Sequence, residues 1–195
     1  MLMEQTYIDN KTFNKKNFKE SPLQLALYEN CVFNNCDFSN ADLSEIKFIE
    51  CSFIGCNLSL AKLSDTTLRD IKFNDCKMSG LRFDTCNEFG LSFSFENCSL
   101  THSTFYKTKI KKTNFKNSQL NETDFSECDL TASVFDNCDL TRVMFVNSIL
   151  EKADFRTSYN FSIDPEINRI KKAKFSLTTI SGLLDKYEIE IEEAK

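Results

Sequence analysis

From Phe95 to Phe155 every fifth residue is apolar: Phe95, Leu100, Phe105, Ile110, Phe115, Leu120, Phe125, Leu130, Phe135, Leu140, Phe145, Leu150 and Phe155. We call these positions centres. Two residues before most of them stands a small side chain, as at Cys98, Ser103, Thr108, Thr113, Ser118, Thr123, Cys128, Ser133, Cys138, Ser148 and Ala153. A period of five fits neither a helical stripe, which recurs about every 3.6 residues, nor the two-residue alternation of a strand. So long an unbroken run excludes coincidence. A short fixed repeat of this kind predicts a solenoid, in which no unit buries its apolar residue alone and successive coils stack.

The unit reads A-(D/N)-(L/F)-x-x. Lys152-Ala153-Asp154-Phe155-Arg156 carries it almost unaltered, as does Asn40-Ala41-Asp42-Leu43-Ser44. The chain resembles the pentapeptide-repeat family over roughly residues 28–175. The resemblance implies an all-β fold, a right-handed quadrilateral parallel β-helix with one repeat per side and four sides per coil. A coil of that size puts residues twenty apart on one face. Phe95, Phe115, Phe135 and Phe155 then share a face, with Phe105, Phe125 and Phe145 opposite. Leu100, Leu120 and Leu140, and Ile110, Leu130 and Leu150, lie between them. Like shapes stack on like, which the five-residue period does not require and a close-packed interior favours.

Residues 1–27 fit the repeat loosely. Ile8, Phe13 and Phe18 keep the spacing, but Thr6, Lys11 and Lys16 stand in the small-residue slots. This predicts a first strand and an irregular capping coil, with a loop over 19–27 where Ser21-Pro22 breaks the pattern. Regular repeats run over 28–175, with centres at Tyr28, Phe33, Phe38, Leu43, Phe48, Phe53, Leu58, Leu63, Leu68, Phe73, Met78 and Phe83. The next secure centre is Phe95, so two residues are inserted. Spacing places the missing centre at Phe89, flanked by Glu88 and Gly90 in a small outward bulge over 86–92. Asn87, Glu88 and Gly90 are candidate partner-facing residues. With the insertion allowed for, one core ladder runs Phe33, Phe53, Phe73, Phe95, Phe115, Phe135, Phe155 and Phe175. Asn35, Gly55, Asp75, Asn97, Asn117 and Asn137 follow these centres by two, suit tight corners and predict an Asn ladder along one edge.

Over 176–195, Leu177, Ile180, Leu183, Leu184 and Tyr187 recur at helical spacing. They predict a short amphipathic α-helix over 177–187 that caps the column, with Ser176 as N-cap. Glu188 to Glu192 alternates like a half-buried strand. Together with Ile189 and Ile191 the stripe is a candidate homodimer interface: part covers the end of the stack and the rest is left for a second copy. A monomer whose tail folds back completely is the competing reading.

With 4 Gly and 2 Pro, long loops are not expected. A net charge of −5 gives no sign of direct nucleic-acid binding. No apolar run reaches the length of a membrane span, and Met1 to Gln5 has neither the basic nor the apolar stretch of a signal peptide. A cytoplasmic location with reduced thiols is expected. All nine cysteines, at 31, 36, 51, 56, 76, 86, 98, 128 and 138, stand two before a centre or its expected place. They share that slot with Ala, Ser and Thr and read as small buried side chains. Their spacing is not that of a zinc site, while adjacent coils bring Cα atoms within disulfide range.

His102, the only histidine, falls at an outward corner. No nucleophile–base constellation and no phosphate-binding glycine loop is present. Asp37, Asp42, Asp124, Asp129, Asp139 and Asp154 precede centres by one and are expected to face solvent. No catalytic, cofactor-binding or metal site is expected. Lys107, Lys109, Lys111, Lys112 and Lys116 read as a solvated face or as an anion patch.

Two functions follow. A rigid column without a reactive site suits a non-enzymatic scaffold for protein–protein interaction. The resemblance implies another: some family members look like duplex DNA, bind the type II topoisomerases DNA gyrase or topoisomerase IV, protect them from quinolones, and dimerise through a C-terminal helix. Duplex DNA of the column's length, ~34 Å, carries about 20 charges. A net −5, with Lys47, Lys62, Lys72, Lys77, Arg82 and Lys109 among the outward positions, allows a local acidic face and not a uniform one.

Overall fold

The computed structural model describes residues 6–192, so the pentad Met1 to Gln5 and residues 193–195 lie outside it. The described chain is a parallel β-solenoid. Its strands are β1 (Tyr7–Asp9), β2 (Thr12–Asn14), β3 (Leu27–Glu29), β4 (Val32–Asn34), β5 (Lys47–Ile49), β6 (Ser52–Ile54), β7 (Thr67–Arg69), β8 (Ile71–Asn74), β9 (Phe93–Glu96), β10 (Asn114–Lys116) and β11 (Val134–Asp136). They form two sheets, one of four strands in the order β1-β3-β5-β7 and one of seven in the order β11-β10-β9-β8-β6-β4-β2. Neighbouring strands stand twenty residues apart: Ile8 lies opposite Tyr28, Phe13 opposite Phe33 and Phe115 opposite Phe135. β1 and β2, from the N-terminal 27 residues, already pair with β3 and β4.

The strands are short because every fifth residue turns a corner. That residue adopts the left-handed region even where it is not glycine or asparagine, as at Leu60 (φ 59°), Lys112 (59°) and Ala132 (59°). Each such corner costs roughly 1–2 kcal/mol and is held by the coils above and below. The remaining sides make isolated parallel bridges, such as Asp37 to Asn57 to Lys77 to Ser99. There the slot residue closes a tight turn, as when the Ala41 N–H donates to Phe38 O at 2.9 Å.

The centres point inward and stack. Phe33, Phe53, Phe73, Phe95, Phe115, Phe135, Phe155 and Phe175 follow one another at centroid separations of 4.8, 5.2, 5.3, 5.2, 4.9, 4.8 and 5.3 Å. Phe13 extends the stack by one rung below Phe33, at 4.8 Å. A second ladder joins Phe83, Phe105, Phe125 and Phe145 at 4.3, 4.9 and 5.6 Å. Rings from the two ladders meet edge to face, as Phe115 does Phe125 at 77°, a favourable arrangement.

The two inserted residues lie between Asn87 and Ser92. The Asn87 N–H still donates to Thr66 O, twenty-one residues back, whereas the Ile71 N–H now reaches Ser92 O, two residues further on than the regular partner. The expected centre at Phe89 is corrected: Phe89 is 79% exposed. The chain bows outward to absorb the extra length, and Phe89 sits near the crest. Leu91 and Phe93 are buried instead. Phe93 enters from the slot two before Phe95, and its ring packs at 5.3 Å from Phe83 and 5.1 Å from Phe95.

The C-terminal α-helix is also corrected. Residues 177–187 form two short 3-10 turns, Ile180–Leu183 and Asp185–Tyr187, and residues 188–192 form no strand. Gly182 explains much of this. It lies against Phe161, where an added Cβ would overlap the Phe161 carbonyl oxygen, and its own carbonyl accepts the Ile163 N–H at 2.8 Å. A glycine costs about 1 kcal/mol in a helix interior, and a helix this short is marginal in any case.

Candidate interaction surfaces

The groups that elsewhere carry chemistry are engaged in holding coils together. Slot residues bridge coils through one donor and one acceptor. The Cys56 thiol receives the Cys36 N–H at 3.4 Å and donates to Phe33 O at 3.2 Å. Ser118 Oγ receives the Cys98 N–H at 3.1 Å, and Ser103 Oγ donates to Met78 O at 2.9 Å. Cys, Ser and Thr therefore exchange freely in this slot. All nine thiols are free and all but Cys86 are fully buried. Burial pushes the Cys51, Cys128 and Cys138 thiols up to about 12. The Cys76 thiol donates to Phe53 O at 3.4 Å and the Cys98 thiol to Phe73 O at 3.3 Å.

The aspartates before the centres do not simply face solvent. Each turns back to accept the N–H two residues on: Asp37 from Ser39 at 2.9 Å, Asp42 from Ser44 at 3.0 Å, Asp124 from Ser126 at 2.8 Å, Asp129 from Thr131 at 3.1 Å, Asp139 from Thr141 at 3.1 Å and Asp154 from Arg156 at 3.2 Å. These are Asx turns that fix the corner. The Arg156 side chain holds the Asp154 carboxyl below the usual carboxylate range. Burial opposes ionisation of Asp139, yet hydrogen bonds from Thr141, Asn121 and Asn160 outweigh it and lower its pKa. The repeat's own D-(L/F)-(S/T) order was the available signal.

His102 is exposed and stands 3.2 Å from Glu122, which also binds Arg142 at 2.6 Å. Glu122 thus joins side chains from the coils on either side of its own. The lysine run is distributed the same way: Lys107, Lys111 and Lys116 pair with Glu127, Asp129 and Glu96 at 3.5, 3.1 and 2.8 Å. The expected Asn ladder forms in segments. Asn97 donates to Asp75 at 3.0 Å and Asn137 to Asn117 at 2.9 Å, with Gly55 breaking the run.

Two places offer distinct shape. At the insertion, Asn87 anchors the bow: its amide donates to Asp65 at 2.9 Å and its carbonyl oxygen accepts the Phe89 N–H at 3.0 Å. Gly90 turns with φ 74° against the Arg69 guanidinium, where a Cβ would lie 2.9 Å from Nε. Between the bow and the next coil opens a concavity of about 330 Å³ lined by Glu88, Phe89, Leu91, Tyr106, Lys107 and Lys109, among others. The Lys107 ammonium lies 4.8 Å over the Tyr106 ring.

The other place is the C-terminal end. Leu183 packs against the core, and Leu184 is half-buried. Leu177 is 90% exposed, and Ile180, Tyr187, Ile189 and Ile191 are exposed as well. Lys186 ties the tail back, to Asp164 at 2.8 Å and Glu166 at 2.6 Å, and the Tyr187 hydroxyl donates to Glu166 at 2.8 Å.

The pentapeptide repeat region model matches residues 26–93 and 91–159, which together span well over half of the chain. The chain belongs to the pentapeptide-repeat family. Members of that family with similar solved structures include two trypsin-treated forms of QnrB1, a plasmid-mediated fluoroquinolone resistance protein. One is 18% identical over 97% of this chain and 100% of its own, with a TM-score of 0.56. The other is 18% identical over 96% and 100%, with a TM-score of 0.57. HetL, involved in heterocyst differentiation regulation in the cyanobacterium Nostoc sp. strain PCC 7120, superposes more loosely: 13% identity over 88% of this chain and 84% of its own, TM-score 0.32. A search of curated proteins finds no match. At these identities the likeness to QnrB1 establishes the fold. No helix among the described residues is long and apolar enough to cross a membrane.

Proposed function

We infer that the protein is a non-enzymatic scaffold for protein–protein interaction, built on a right-handed, four-sided column and working in the cytoplasm. The observation that carries this reading is Phe89, a large aromatic side chain held 79% exposed at the two-residue insertion in the repeat. An aromatic anchor beside Tyr106, with Glu88, Lys107 and Lys109 around it, has the make-up of an interface hot spot with a polar rim. The engagement of the slot thiols in inter-coil hydrogen bonds and of the corner aspartates in Asx turns supports a scaffold rather than an enzyme. A photo-crosslinking residue at position 89 should capture a defined partner, and the same residue at outward position 134 should not. Equal capture at both sites contradicts the placement.

A second reading is supported by the likeness to QnrB1 along nearly the whole chain. Under it, the protein occupies the DNA site of a type II topoisomerase and shields it from fluoroquinolones. The paired lysines along the column argue against a uniformly acidic surface, so contact would rest on one face or on the bow. A gyrase supercoiling assay with a fluoroquinolone tests it. Relief of inhibition by the protein supports this reading, and no effect removes it.

Under either reading the exposed Leu177, Ile180, Tyr187, Ile189 and Ile191 suit a homodimer joined end to end by a two-fold axis. Sedimentation equilibrium of the intact chain and of a chain ending at Ser176 tests it, since a monomeric intact chain rules the dimer out.

A further inference from the structure

One edge of the column changes the sign of its charge at the insertion. On the N-terminal side its corner residues are Asn10, Asn30, Glu50 and Asp70. On the C-terminal side they are Lys112, Ala132, Lys152 and Lys172, with Ser92 between the two groups. Hydrogen bonds stack these corners directly. The N–H groups of Asn10, Asn30 and Glu50 donate to the carbonyls of Glu29, Ile49 and Arg69, each one residue before the next corner. Those of Lys112, Ala132 and Lys152 reach Thr131, Glu151 and Lys171 in the same way. At the insertion the Asp70 N–H donates to Ser92 Oγ at 2.7 Å, and Ser94 lies opposite Asn114 in the next coil. Every charged member of the edge is exposed.

The positions just before the corners add to the contrast, with Asp9 and Glu29 on the acidic half and Lys111 and Lys171 on the basic half. Two go against it. Glu151 is held by Arg169 at 2.6 Å, and Arg69 lies against Gly90 of the bow. Lys111 is paired with Asp129 at 3.1 Å, but Lys112, Lys152, Lys171 and Lys172 make no ion pair among the described residues. A chain of net charge −5 does not need a row of free lysines for solubility. The pattern is also centred. Four rungs, Asn10 to Asp70, precede Ser92 and four, Lys112 to Lys172, follow it. An edge of this kind is complementary to itself turned end for end. A two-fold axis at the height of Ser92 sets Asp70 against Lys112 of a second copy. It brings Glu29 to the height of Lys152 and Asp9 to that of Lys171 and Lys172, over an overlap of ~38 Å.

We propose that this edge is an antiparallel, side-by-side contact between two copies of the chain. Charge complementarity fixes its direction and register. Exposed ion pairs are individually weak, so the contact depends on their sum and dissolves in salt. It is separate from the end-to-end contact, which uses apolar side chains at the C-terminal pole. Side by side, the two C-terminal poles point in opposite directions, and neither is covered.

Sedimentation equilibrium of the intact chain tests it at ~10 mM salt, where charges act over ~30 Å, and at ~1 M, where they act over ~3 Å. The mass at low salt should be at least twice that at high salt. Two double variants make the edge one-signed: Glu50→Lys with Asp70→Lys, and Lys112→Glu with Lys152→Glu. Lysine and glutamate both occupy left-handed corners elsewhere, as at Lys107 and Glu122, so both variants retain the fold, and circular dichroism checks that they do. Neither variant alone should gain mass at low salt. Their equimolar mixture should regain it, because a basic edge then meets an acidic one. Equal masses of the unaltered chain at both salts overturn the proposal, as does a salt-dependent gain in either variant alone or its absence in the mixture. A dimer that persists at high salt and in both variants, with no further gain at low salt, is the end-to-end contact alone and overturns the side-by-side one.

Discussion

The two sheets begin side by side and end differently. The four-stranded sheet stops at β7, where the next rung is replaced by the bow over 86–92, and the same side resumes only as isolated bridges from Lys109 to Asp129 and beyond. The seven-stranded sheet passes the same level unbroken, with Phe73 opposite Phe95 in β8 and β9 and their rings 5.3 Å apart at 9°. An insertion in a solenoid is therefore a local event when a neighbouring side holds register. The seven-stranded side holds it with three layers at once: the Phe rungs inside, the Cys98 thiol donating to Phe73 O at 3.3 Å beside them, and the Asp75 to Asn97 hydrogen bond at the corner. The interrupted side loses its strand pairing and gains the molecule's most distinct surface.

Breaking the continuous side should have the largest effect. Phe115→Ala leaves a cavity between Phe95 and Phe135 and should cost ~3–5 kcal/mol in urea unfolding, with Phe115→Leu costing much less. If neither changes the melting temperature, the ladder does not hold the stack. At the C-terminal end, Gly182→Ala forces a methyl into the Phe161 carbonyl and ring and should cost about 1–3 kcal/mol, as overpacking does. An unchanged melting temperature would mean that the tail is not docked there.

Asp139→Ala tests the corners. Its carboxylate serves Thr141, Asn121 and Asn160 at 3.1, 2.9 and 3.0 Å, joining three successive coils, and its loss should cost roughly 1–3 kcal/mol. The same carboxylates set a pH dependence. The pKa values of Asp139 and Asp154 in the folded protein lie below the ordinary 3.8, so their stabilisation is complete above that value and lost as pH falls through the folded values. The urea midpoint should drop as pH falls below about 4. A flat profile across that range would contradict the Asx-turn account. The smallest effect belongs to the interrupted side: Phe89→Ser should move stability by less than about 0.5 kcal/mol, as for an exposed site. A loss of several kcal/mol would return Phe89 to the core.

The sequence made the period, the twenty-residue coil and the level of the insertion legible, because stacking repeats the same demand at every rung. It misplaced what lies between rungs. Counting by fives selects Phe89, but the slots before the Phe rungs already held the better signal. They read Cys31, Cys51, Ile71, Phe93, Thr113 and Ser133, and the two bulky members bracket the insertion. A bulky slot residue fills space that a missing centre leaves. The aspartate turns were hidden because a residue one before a centre points outward by geometry, and only the bend of its side chain brings it back to the corner. At the C-terminus, helical spacing overrode the warning of Gly182 and the β-branched Thr178, Thr179 and Ile180. The surfaces were least legible, since the exposure of Phe89 follows from how the extra length is absorbed.

The central claim, that one stack runs unbroken past an insertion confined to one side, is tested most directly by native-state hydrogen exchange read residue by residue. The amides of Phe95 and Phe115 should exchange equally slowly, at the rate of global unfolding, while those of Glu88 to Gly90 exchange fast. If the amides of Phe73 and Phe95 also exchange fast while Phe33 and Phe135 stay protected, the column is two stacks joined at a hinge and the claim is wrong.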